Sequence, residues 1–174
     1  MKRITTLVLA MLFAVAMCVP ALAEEEIFIA VNLKTLSAEY WQVVKDGCEA
    51  AAADLGVGID VQGASAETEI AEQVAQIEIQ LGSAPSAIVI APNDGDAVIG
   101  VLQSSGYEGP VVFCDTDCAY EEKTSFVGTS NEEAAYQGGV YGVGVNGENT
   151  SAVIIYGQEG DNTSNLRRAG YERA

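Results

Sequence analysis

Short runs rich in β-branched residues return along this chain at 27–33, 57–61, 87–91, 111–114 and 152–156, each separated from the next by enough residues for a helix. Strands joined through helical crossovers point the same way, so the alternation predicts a parallel sheet. The runs are nearly continuous in apolar residues, the pattern of strands covered by helices on both faces. Between them Trp41, Val44, Cys48, Ala51, Ala52 and Leu55 recur at helical spacing, as do Ile70, Val74, Ile77 and Leu81, giving each helix one apolar face. A shorter helix is predicted over 96–105. Ser130-Asn131-Glu132-Glu133 has the form of a capping box opening another. The sequence closes with the strand at 152–156, a polar loop and a helix carrying Arg167 and Arg168.

The other end reads differently. Met1-Lys2-Arg3 precedes an apolar run over 7–19 and the small-residue site Ala21-Leu22-Ala23, which together read as a secretory signal peptide over residues 1–23. The apolar run is shorter than the roughly 20 residues of a membrane-spanning helix. Cys18 is a candidate for lipid attachment, with Met17 where such sites usually carry a smaller residue. The location implied is the periplasm or the outer face of the cell envelope.

Charge and composition remove several functions. Acidic residues number 25 against 8 basic ones, for a net charge of −17, and Lys2 and Arg3 both fall in the leader. Nucleic acid is held through Lys and Arg, so this surface argues for a small ligand or a protein partner. The acidity also serves solubility. Histidine is absent, which excludes histidine acid–base catalysis and His-rich metal sites. After the leader three cysteines remain, an odd number: Cys114 and Cys118 are near enough in sequence to pair across a loop, and Cys48 sits on a helix face as a small hydrophobe. Gly142-Val143-Gly144-Val145-Asn146-Gly147 matches a dinucleotide fingerprint in letters only. It ends a helical segment instead of following a strand, so its glycines are read as a helix stop.

In an open parallel sheet ligands bind beyond the carboxyl ends of the strands. The loops there carry Lys34-Thr35-Leu36-Ser37-Ala38-Glu39-Tyr40-Trp41, Pro92-Asn93-Asp94-Gly95-Asp96 and Asp115-Thr116-Asp117. Hydroxyls, carboxylates and two adjacent aromatic rings converge in them.

Lys34 with Glu39-Tyr40-Trp41, Val44-Lys45-Asp46-Gly47, Ile88-Val89-Ile90-Ala91-Pro92-Asn93-Asp94, the strand ending at Asp115, Phe126-Val127-Gly128-Thr129-Ser130-Asn131, Gly138-Gly139 and Arg167 before Gly170-Tyr171 follow one another in an order that resembles a known family. That family is the periplasmic sugar-binding proteins of ABC importers, of the ribose-binding type, whose fold is shared with the effector domain of lactose-repressor-like regulators. The resemblance covers the chain after the leader. It implies a flavodoxin-like α/β first lobe over 24–129, with a parallel sheet and helices on both faces (the type I periplasmic binding protein fold), and the beginning of a second lobe over 130–174.

The resemblance also implies roles. Asp115 would accept hydrogen bonds from sugar hydroxyls, Arg167 would donate to them from the opposite lobe, and Tyr40 and Trp41 would pack on the ring. Lys34 and Ala38 fall at positions of polar contact, and Ala38 departs from the Asn or His often found there. Thr129, Ser130 and Asn131 would form the first hinge crossing. The partners implied are a monosaccharide and, through the full-length form, a membrane permease. No enzyme activity and no cofactor follow.

Other readings of the same residues stand beside these. Trp41 lies on the stripe of Val44 and Cys48 and so fits a core position. Asp94 or Asp96 fits a helix cap, Asp115 a turn, and Arg167 a surface charge, with Arg168 as the more solvent-facing of the two arginines. A secreted sensing module for a chemoreceptor or sensor kinase would use the same site. A glycosidase would have to rely on Asp94, Asp115 or Asp117. If the chain ends at Ala174 the second lobe is incomplete, which predicts weak sugar binding or none, a non-binding half-protein, and the open sheet edge then predicts a homodimer.

Overall fold

In the computed structural model, which describes residues 27–147, 149–157 and 161–174, five strands make one sheet. They are β1 (Phe28–Thr35), β2 (Gly58–Ala64), β3 (Ala87–Ile90), β4 (Val111–Cys114) and β5 (Ser125–Val127), in the order β2-β1-β3-β4-β5, all parallel. This is the flavodoxin-like order, in which the chain turns back across β1 and then proceeds outward. The leader at 1–23, with Cys18, lies outside the described residues. No described helix is long and apolar enough to cross a membrane.

Helices α1 (Glu39–Leu55), α2 (Ile70–Gly82) and α3 (Gly95–Ser105) fill the crossovers. Alternate residues of the strands serve opposite faces. Val31, Leu33 and Val89 meet Trp41, Val44 and Cys48 of α1, while Ala30, Ile88, Ile90, Val111 and Phe113 meet Ile77 and Leu81 of α2 and Val98, Val101 and Leu102 of α3. The sheet is therefore covered on both faces, as its continuous apolar runs require. On α1 the buried face is narrower than the spacing suggests: Ala51 is exposed and Leu55 is 73% exposed. That end of the helix has run past the sheet to its left-handed stop at Gly56. Cys48 is half-buried, not buried.

The face between the sheet and α2 is not purely apolar. Asn32, Gln73 and Gln80 are fully buried. Asn32 Nδ2 donates to Gln80 Oε1 at 2.9 Å, and Gln80 Nε2 donates to Asp60 Oδ2 at 2.9 Å. Gln73 Nε2 donates to the Ala91 carbonyl at 2.9 Å, its Oε1 accepts from the Asn93 amide at 2.8 Å, and Asn93 Nδ2 donates to the Lys34 carbonyl at 3.0 Å. These bonds satisfy most of the buried polar atoms here, Asn32 Oδ1 and Asn93 Oδ1 excepted, and fix the carboxyl ends of β1 and β3 against α2.

Beyond β5, α4 (Asn131–Asn146) and α5 (Asn162–Arg173) pack on each other. Gly170 of α5 lies against the Glu132 carbonyl and Ala135 of α4, where a Cβ would collide, and Gly138 and Gly139 leave room for Tyr171. The strand expected over 152–156 does not form. Val153 and Ile155 are 89% and 94% exposed, and no strand among the described residues lies beside the segment to complete a ladder. The fifth strand is Ser125–Val127 instead, too short to show a periodicity. The helix expected after Ser130 opens at Asn131, but the capping box is not made: Ser130 has no side-chain cap bond. Asp94 does cap α3, accepting from the Ala97 amide at 2.8 Å, and Gly147 ends α4 with φ 89°.

Candidate functional site

Parallel strands put every strand-to-helix loop at one rim. Lys34 lies near the end of β1, Tyr40 and Trp41 open α1, Glu67 follows β2 and Asp115 follows β4. The amino end of α5 comes down on them, and together they enclose a cleft of about 330 Å³ lined by Lys34, Tyr40, Trp41, Glu67, Asp115, Asp161, Thr163, Ser164 and Arg167. All five residues singled out for ligand contact thus share one cavity. A larger hollow of about 590 Å³, beside Pro85, Tyr107 and Glu108, lies at the opposite end of the strands, among turns with no cationic side chain.

Asp115 holds a left-handed backbone, φ 60°, a conformation that costs a residue with a Cβ about 1–2 kcal/mol. Its amide still reaches the Val127 carbonyl at 3.0 Å, so β4 and β5 hold it in place. Its carboxylate accepts from the Tyr40 hydroxyl at 3.0 Å and from the Thr116 hydroxyl at 3.0 Å. Tyr40 is 58% exposed, and its ring meets Trp41 edge-on, centroids 4.9 Å apart. Partial burial, then the Asp115 hydrogen bond and charge, push the Tyr40 hydroxyl above its ordinary range, so it stays a donor. Trp41 is only 3% exposed and belongs to the core under α1, as its stripe allowed, yet one edge reaches the cleft, where Nε1 donates to Glu67 Oε1 at 2.8 Å.

Lys34 is buried and paired with Asp161, Nζ to Oδ1 2.8 Å. The same carboxylate caps α5, Oδ2 accepting from the Ser164 amide at 2.7 Å. The buried hydroxyls of Thr116 and Thr163 are 2.9 Å apart, and Asn162 Nδ2 donates to the Asp117 carbonyl at 3.1 Å. Arg167 is tied to the expected hinge, Nε donating to Asn131 Oδ1 at 2.8 Å, while Asn131 Nδ2 donates to the Thr129 carbonyl at 3.1 Å. Arg168 is not the outward member of the arginine pair. It is half-buried over the Tyr156 ring at 5.1 Å, whereas Arg167, which lines the cleft, is exposed.

Some expectations resolve away from the cleft. Ala38 does not line it; it stands before α1 in extended conformation with no side-chain cap bond. Asp117 is taken by Lys123 at 2.6 Å. With Asp94 spent on a cap, only Asp115 of the three carboxylates considered for hydrolysis faces the cavity. Cys114 and Cys118 are not joined, and the three cysteines among the described residues are free thiols. Burial, then the nearby Cys48 and Asp115, push the Cys114 thiol up to about 12, and burial pushes Cys118 to about 11, so both are poor nucleophiles at neutral pH.

Glu67, Asp161, Thr163 and Ser164 were not anticipated from sequence. The rule that led to the other strand-end loops applies equally to the loop after β2. Asp161-Asn162-Thr163-Ser164 carries a capping signature that marks the helix start, though not its contact with Lys34.

The pattern of a family described as Periplasmic binding protein domain matches residues 29–174. The chain is 24% identical over 175 residues to the ribose import binding protein RbsB of Escherichia coli K12, an alignment that covers 100% of this chain and 58% of that protein. With its Haemophilus influenzae counterpart it shares 25% identity, covering 59% of that protein. Among solved structures, a carbohydrate transporter solute-binding protein from Agrobacterium radiobacter in complex with D-arabinose aligns with TM-score 0.72 and 28% identity, over 87% of this chain and 53% of that one. A solute-binding protein from Actinobacillus succinogenes with bound D-allose aligns with TM-score 0.73 and 25% identity, over 85% and 54%. GanP, a glucose-galactose binding protein from Geobacillus stearothermophilus, shares the fold at TM-score 0.78 and 24% identity, over 86% and 54%. The chain therefore spans just over half the length of these relatives.

Proposed function

This chain belongs to the periplasmic binding protein domain family, of the ribose-binding type, and from that premise we propose that it captures a monosaccharide outside the cytoplasm for an ABC importer. The observation that carries the reading is the meeting of Lys34, Tyr40, Asp115 and Arg167 on one cleft at the carboxyl rim of the sheet. A sugar presents C–H faces and an O–H edge. The half-exposed Tyr40 ring suits the first; the Asp115 carboxylate and the Arg167 guanidinium, acceptor and donor from opposite walls, suit the second. Related proteins named for ribose import, and solved relatives holding D-arabinose and D-allose, support this ligand class.

In this reading residues 24–129 are the first lobe, 130–174 begin the second, and Thr129, Ser130 and Asn131 are the hinge about which the lobes close. The leader at 1–23 sends the protein across the inner membrane. A membrane permease receives the sugar. Self-association through the β5 edge would be a separate property of this chain, decided by sedimentation at rising concentration.

Calorimetric titration with D-ribose, D-arabinose, D-allose, D-glucose and D-galactose tests the role. Saturable binding of at least one of them, lost in Asp115→Ala and weakened in Arg167→Met, is expected. Heats indistinguishable from dilution for every sugar would sink the proposal.

A further inference from the structure

Trp41 is the one tryptophan of the chain, and it is buried among Val31, Leu33 and Ala91. An indole N–H can only donate, and a donor buried without an acceptor is costly. Here the acceptor is Glu67 Oε1, 2.8 Å from Nε1. Glu67 itself is exposed, so burial does not hold its carboxylate there. Its backbone does. The loop between β2 and α2 is braced on either side of Glu67: the Ser65 amide and hydroxyl both donate to Glu72 Oε2, at 3.0 and 2.5 Å, and the Glu69 amide donates to the Ala66 carbonyl at 3.0 Å.

The aromatic wall of the cleft continues from this bond. Tyr40 meets Trp41 edge-on, 82° between ring planes, and its hydroxyl donates to Asp115. Glu67, Trp41, Tyr40 and Asp115 thus form one line of contacts along the rim, from the loop after β2 to the loop after β4, and all four line the cleft. The line is made by α1 and the loops of the sheet, with no part taken by α4 or α5. Tyr40 is more than half exposed and has little packing of its own, so the plane of its ring follows from the buried ring beside it and from Asp115.

We propose that Glu67 is a positioning residue: by accepting the Trp41 N–H it fixes the tilt of the indole and, through the edge-on contact, the plane that the Tyr40 ring presents to the cleft. The ring orientation is a property of this chain alone, whereas its service to a sugar rests on the role proposed above. A wall already fixed spares the ligand the cost of ordering it. Loss of Glu67 then weakens capture without removing a ligand contact.

Near-ultraviolet circular dichroism of the 174-residue chain reads the orientation of the Trp41–Tyr40 pair, and tryptophan emission reads the surroundings of the one indole. Glu67→Ala should shrink the tryptophan bands and shift emission to the red. Glu67→Gln, which keeps an oxygen at the same reach, should restore both. Glu69→Ala removes a carboxylate from the same exposed loop that makes no cap bond, and should alter neither. For capture, the five sugars named above are titrated into the same samples. Any that binds should bind about tenfold more weakly to Glu67→Ala and within about twofold of wild type to Glu67→Gln. In a Trp41→Phe background, where the N–H is gone, Glu67→Ala should weaken binding no further, because the two changes remove one bond. An undiminished loss in that background would make Glu67 a direct sugar contact and overturn the positioning role. Bands that do not change, or that change while affinity does not, overturn it too. If the wild type binds none of the five sugars, the transport role falls and the bands still decide: altered in Glu67→Ala and restored in Glu67→Gln they uphold the ring orientation, and unaltered in both they overturn it.

Discussion

Asp115 combines a left-handed backbone with a carboxylate bonded to the hydroxyls of Tyr40 and Thr116. A carboxylate directly after a buried strand, at the rim where ligands bind, was legible as a candidate from position alone. Its left-handed backbone was not, because Asp tolerates that region without the signature a glycine would give. The two costs can be separated. Asp115→Ala and Asp115→Gly both delete the bonds to Tyr40 and Thr116, but only alanine keeps a Cβ in the strained conformation. The glycine variant should therefore be the more stable by about 1 kcal/mol in urea denaturation, with both equally defective in the sugar binding proposed above. Glu67 shows the opposite case: the strand-end rule reaches its loop but nothing singles it out there, and its bond to Trp41 follows from the end of β2 meeting the start of α1. Trp41 satisfied two readings at once, core and cleft wall, because a large ring can be buried on one side and reach the cavity at its edge.

At the level of elements, the strands and helices that cover one another were readable because burial on both faces leaves a run of apolar letters, and burial on one face leaves a helical stripe. The segment 152–156 has equally apolar letters, yet it forms no strand, and Val153 and Ile155 lie in solvent. Composition describes what a strand would like to bury; a ladder also needs a neighbour. The buried amides of Gln73 and Gln80 were invisible for the related reason that an apolar pattern treats every polar letter as a surface letter. Gly170 is a similar exception inside a helix. By propensity alone, alanine there should stabilise α5 by about 1 kcal/mol. The packing against the Glu132 carbonyl and Ala135 leaves no room for the methyl group. Overpacking of this kind costs about 1–3 kcal/mol, so it wins. Gly170→Ala should lower the unfolding free energy of the α4–α5 pair and raise exchange along both helices, while Gly142→Ala, where nothing lies within 4 Å, should not.

For the whole molecule, charge weighs most. With 25 acidic and 8 basic residues, repulsion among carboxylates opposes folding at neutral pH, and the few ion pairs, mostly exposed, return little. Raising salt from about 0.01 to about 0.5 M shortens the screening length several-fold and should raise the thermal midpoint by a few degrees. A midpoint that falls with salt would mean that attractive pairs outweigh the repulsion. The same parallel sheet that gathers the cleft at one rim sends the turns at 83–86 and 106–110 to the other, where Ser83 and Glu108 are exposed. That far end is a ready handle. A dye, a tether or a sensor surface coupled through a cysteine placed there would leave the cleft facing free solution, so the molecule can be immobilised in a known orientation.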